Sequence, residues 1–69
     1  MRVYAIKHVS EDKWVAMGAG YSRRTTTDPS RIYFSNKRGA SQVYSYMKHR
    51  LGDNYRIVAY TFIYEGPEE

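Results

Sequence analysis

Few residues in this chain have the types and spacing that catalysis requires. His8 and His49 are its two histidines, far apart in sequence and on different predicted elements. Neither has a second histidine four positions on, so the pattern of a metal site is missing. The chain has no cysteine, which excludes a disulfide framework, a thiolate metal site and a cysteine nucleophile. Glu11 and Asp12 are neighbours in a polar break, where they solubilise a turn; they are not placed as an acid–base pair. The run Gly18-Ala19-Gly20-Tyr21-Ser22-Arg23 lacks the third glycine of a dinucleotide fingerprint, and no βαβ unit fits around it. The sequence reads as non-enzymatic, with no cofactor and no metal.

Binding chemistry is better represented. Residues 22–56 carry Arg23, Arg24, Arg31, Lys37, Arg38, Lys48, Arg50 and Arg56 against Asp28 and Asp53, a balance of +6. Residues 1–21 balance at +1, and the tail with Glu65, Glu68 and Glu69 at −3, giving the net +4. A basic middle suits an anionic partner, although plain solubility accounts for it as well. Lys37, Arg38, Lys48, His49 and Arg50 occur with no acid between Ser35 and Leu51. Surface helices ordinarily mix signs to gain i,i+4 pairs. Lys37 and Arg38 also fall in a predicted first turn, where the helix dipole disfavours a cation by about 0.3–1 kcal/mol. A pattern that opposes local stability points to a use in binding, against the plain alternative of a solvated face.

Two further groups belong with these. Arg23-Arg24-Thr25-Thr26-Thr27 offers two guanidiniums and three hydroxyls as phosphate donors, or is an ordinary loop. Eight tyrosines, one tryptophan and two phenylalanines suit an interface. Tyr21, Tyr46, Tyr55 and Tyr64 are the ones that predicted core stripes explain least. They either stack on bases or anchor in a protein partner, or they pack a small core short of leucine. Arg23, Arg24, Lys37, Arg38, Tyr46, Lys48 and His49 are thus the candidate residues for nucleic acid or a protein partner.

The elements that must position them are short. Arg2–Val9 is rich in β-formers, Ser10–Lys13 is a hairpin-length break, and Trp14–Tyr21 follows as a second strand bent by its glycines. Ser22–Ser30 is irregular and ends in the turn-forming Asp28-Pro29. Arg31–Phe34 predicts a short third strand. Ser35 or Asn36 caps a helix running to about Leu51, with Gly52 as its stop. Ala40, Val43, Tyr44, Met47 and Leu51 form its apolar stripe, and Lys37, Arg38, Ser41, Gln42, Ser45, Lys48 and His49 the opposite arc. Tyr55–Tyr64 then reads as a strand apolar on both faces, hence central in the sheet or part of an interface. The expected fold is α+β, a small antiparallel sheet in β-β-β-α-β order with one helix packed on one face.

Asp28-Pro29-Ser30-Arg31-Ile32-Tyr33-Phe34-Ser35-Asn36-Lys37-Arg38-Gly39-Ala40-Ser41 resembles a segment of short bacteriophage accessory proteins. In these an Asp-x-Ser-Lys/Arg stretch leads through a short apolar strand into a Lys-Gly-Ala helix start, after a hairpin containing Gly-x-Gly. The likeness implies a phage-encoded protein made in an infected bacterium and no catalytic residue. The Arg/Thr-rich loop departs from the family's shorter connection.

Sixty-nine residues make one domain, residues 1–69. Burying the apolar share of roughly 7,200 Å² contributes about 100 kcal/mol, and ordering the chain at about 1.5 kcal/mol per residue removes nearly the same. A lone copy is marginal on these terms, so a homodimer or partner is expected. No apolar run approaches a membrane span, and Met1 leads into a strand with no signal-peptide pattern. The expectation is a cytoplasmic binding module. Its partner is nucleic acid, DNA or RNA; the alternative is a bacterial host protein that it inhibits or modulates.

Overall fold

The computed structural model describes residues 1–18, 24–63 and 65–67. Strand β1 spans Arg2–His8, β2 Trp14–Val15, β3 Thr25–Thr26, helix α1 Lys37–Leu51 and β4 Tyr55–Thr61. The strands form one antiparallel sheet in the order β3-β2-β1-β4, and the chain follows the expected β-β-β-α-β sequence. β1 is the spine. It pairs with β4 along its full length, from Arg2 opposite Thr61 to His8 opposite Tyr55.

The period of two along β1 sorts its side chains between two faces. Ile6 faces α1 and, like Val15, is fully buried; Val43, Met47 and Tyr55 complete the buried cluster, and Tyr33, Tyr44, Leu51 and Ile57 pack around it. The apolar stripe read from the sequence is therefore the face α1 turns to the sheet. Asn36 caps the helix through its side-chain oxygen, which accepts from the Gly39 amide at 2.8 Å. At the other end Gly52 takes φ +70°, a left-handed conformation that glycine adopts without steric cost, and its amide bonds the Lys48 carbonyl.

Ala5 points to the other face and is also fully buried. Trp14 sits beside Lys7 on β2, and Tyr60 sits beside Val3 on β4. The line between them crosses β1 at Ala5. The indole Nε1 donates to the Tyr60 hydroxyl at 3.0 Å along that line. Phe34 meets Tyr60 edge-on at 5.7 Å, and meets Phe62 at 5.8 Å. A second, aromatic layer thus closes the face that the helix leaves uncovered.

Three expectations about the strands are corrected. The third strand is Thr25–Thr26, inside the stretch read as irregular, and Pro29–Arg31 is a 3-10 turn capped by Asp28. Residues 31–34 form no strand because they change neighbours: Ile32 bridges Ala16 while Ser35 bridges Tyr4. A segment crossing from β2 to β1 cannot run a ladder with either. The second strand ends at Val15: the Ala16 amide still bonds the Arg24 carbonyl, one rung past the β2–β3 ladder, and Ala16 otherwise makes only a single bridge to Ile32; residues 19–21 of the expected strand lie outside the described residues. β4 is an edge strand and not central: its apolar faces are served by α1 on one side and the aromatic layer on the other.

Candidate functional site

The cations separate by whether the fold already uses them. Lys7 Nζ lies 3.8 Å from Asp12 and donates to the His8 and Glu11 carbonyls at 3.2 and 3.0 Å. Arg31 Nε lies 3.8 Å from Asp28. Arg56 donates at 2.8 Å to the carbonyls of Asp53 and Tyr55, which ties the start of β4 to the turn before it. These contacts hold turns together.

The outward arc of α1 differs. Lys37, Arg38, Lys48 and His49 are exposed, and among the described residues no carboxylate forms an ion pair with them. Helical geometry arranges them in two rows. Lys37 and Lys48 differ by 20° around the axis, as do Arg38 and His49, and each pair is about 16 Å apart along it. Ser41, Gln42 and Ser45 fill the space between with hydroxyl and amide groups. Tyr46, at 66% exposure, closes a shallow open depression with Gln42 and Ser45. No acidic residue occupies the first turn, so the amide end of the dipole meets Lys37 and Arg38 uncompensated. Such a surface can take several anionic oxygens at once through charge-assisted bonds.

The other candidate residues are placed less compactly. Arg24 is exposed at the entry to β3, on the sheet edge away from β4, whereas α1 packs over β1 and β4. Strand spacing puts it about 10 Å or more to the side of the helix footprint. Arg23 lies outside the described residues, as do Tyr21 and Tyr64. Tyr55 is corrected from candidate anchor to core: it is 6% exposed, its carbonyl accepts from the Tyr44 hydroxyl at 3.0 Å, and its ring meets His8 edge-on at 5.0 Å. Of the four tyrosines singled out, Tyr46 is the one described as exposed.

The turn after β1 contains the acid–base contact that sequence spacing did not reveal. His8 Nδ1 accepts from the amides of Ser10 and Glu11 at 3.2 Å, which turns Nε2 to within 3.4 Å of the Glu11 carboxylate. The signal was the His8-to-Glu11 spacing, which reads as open in a strand but closes in a tight turn. His8 is half-buried there and serves the turn. Among the described residues no three of histidine, aspartate and glutamate gather where a metal ion could be held, and no helix is long and apolar enough to cross a membrane. Compared with known proteins, the chain matches no family model, no curated protein and no solved structure.

Proposed function

We propose that the protein is a non-enzymatic module that binds nucleic-acid phosphates on the outward arc of α1. The carrying observation is the clustering of cations on one arc: Lys7, Arg31 and Arg56 make local contacts in their turns, while Lys37, Arg38, Lys48 and His49 stand exposed together on α1 without a described carboxylate partner. Backbone contacts of this kind carry little sequence information, so binding is modest, salt-sensitive and weakly dependent on base sequence. The resemblance of residues 28–41 to phage accessory proteins supports action in the cytoplasm of an infected bacterium.

Three to five phosphates neutralised by a single arc correspond to a log–log salt slope of roughly −3 to −4.5 on duplex DNA. Fluorescence anisotropy with labelled DNA and RNA across a salt series measures it. Arg38→Gln with Lys48→Gln reduces the slope by about 2 and leaves the fold intact, since neither side chain faces the sheet. Absence of binding at low salt, or binding indifferent to the double change, would replace this reading with that of a host-protein inhibitor anchored at Tyr46.

A further inference from the structure

We propose that the outer edge of β4 pairs with the same edge of a second copy, antiparallel about a two-fold axis at Tyr60, joining two sheets into one of eight strands. This pairing stands independently of the phosphate reading. Along β4 the even-numbered residues exchange backbone bonds with β1, as Phe62 does with Met1 in continuation of the ladder. The pleat therefore turns the amides and carbonyls of Ile57, Ala59, Thr61 and Ile63 outward, where among the described residues no strand meets them.

The two sheet edges are unequal. The β3 edge is two residues long and is followed by Asp28 and Pro29, features that discourage pairing. The β4 edge is seven residues long, carries Arg56 as its one charge and has no proline before Pro67. A long, open edge of this composition is a site for strand addition.

Its sequence suits a second copy. A two-fold at Tyr60 sets Ile57 against Ile63, Ala59 against Thr61 and Val58 against Phe62, so all four outward residues of each copy find a backbone partner. No like charges oppose one another. The pairing covers Phe62 and Ile63, now 51% and 79% exposed. Ala59 and Thr61 are exposed, so α1 does not block this half of the edge.

Sedimentation equilibrium without nucleic acid, across a concentration series, is the first test, and a monomer–dimer equilibrium is expected. Ala59→Pro removes an outward amide that β1 does not use; it weakens the dimer by roughly tenfold or more while circular dichroism shows the same fold. The register is read by cross-linking, because the chain has no cysteine of its own. Ala59→Cys mixed with Thr61→Cys forms the disulfide across a pair about 5.5 Å apart at Cα. Either variant alone places its sulfurs two residues out of register, beyond the roughly 7 Å limit, and cross-links far less. A monomer at all concentrations, or equal cross-linking in the mixture and in the separate variants, overturns the proposal.

Discussion

Removing the Trp14–Tyr60 bond measures how much the aromatic layer contributes beside the core under α1. Tyr60→Phe keeps the ring and its edge contact with Phe34 but leaves the part-buried indole N–H without its acceptor. Losing a bond of this type costs about 0.5–1.5 kcal/mol. Trp14→Phe loses the same bond together with part of the ring that lies over Ala5, so it costs more, about 1–3 kcal/mol. If the bond acts as a unit, the double variant falls short of the sum by about 1 kcal/mol. At about 2.1 cal/mol/K per residue, the unfolding entropy of 69 residues is about 145 cal/mol/K, so each kcal/mol shifts Tm by about 7 °C. Thermal and urea unfolding of the four proteins completes the cycle, with tryptophan fluorescence as a local probe in the two that keep Trp14. Additivity within about 0.3 kcal/mol would refute the reasoning, because the two side chains would then be independent and the second face merely covered.

Two other outcomes follow from the packing and the turns. Met47, 6% exposed under the sheet, costs about 2–5 kcal/mol as Met47→Ala, whereas Ser45→Ala on the outward arc is nearly neutral; equal melting temperatures would put the helix register in error. Asp28 titrates below the ordinary aspartate value, first because the Ser30 amide donates to its carboxylate at 3.0 Å and next because the Ser30 hydroxyl donates at 2.8 Å. A depressed folded value means that the turn's contribution is present above the unfolded aspartate value and is lost as pH falls through the folded one. Carboxyl-carbon NMR titration shows the low midpoint, and Ser30→Ala moves it part of the way up.

The helix was legible because its signals are local. Asn36 at the cap, Gly52 at the stop and apolar residues at 3.6-residue spacing each act within a turn or two. The strands were legible as β-formers but not in their partners. Tyr55–Tyr64 looked central because both faces are apolar, and nothing local states that Trp14 reaches across β1 to Tyr60. That contact depends on the register of two ladders, which propensity does not encode. The same limit hid the third strand. Thr25 and Thr26 are β-branched but pair through only two residues, and Ile32 reads as a strand residue while forming a single bridge. At the candidate site, Lys37, Arg38, Lys48 and His49 were found from composition because an acid-free helix is visible in one dimension. The separation of Arg24 from that arc was not, since it follows from strand order.

The two proposed surfaces have a geometric consequence when combined. The two-fold of an antiparallel edge pairing runs perpendicular to the sheet, so both copies of α1 lie on the same side of the eight-stranded sheet. Their outward arcs then face one way, and Lys37, Arg38 and Lys48 are presented twice on one surface. A single arc neutralising three phosphates gives a slope near −2.7 on duplex DNA, and two arcs acting on one duplex give about −5.4. Ala59→Pro changes no cation, yet it brings the slope of a dimeric parent toward the single-arc value. Affinity falls with it, because the second arc no longer binds at the high effective concentration that pairing provides. Anisotropy salt series of the parent and Ala59→Pro, at concentrations where sedimentation finds the parent dimeric and the variant monomeric, decide the matter. Equal slopes would mean that the two arcs do not engage one duplex, and the edge pairing would then have no part in nucleic-acid binding.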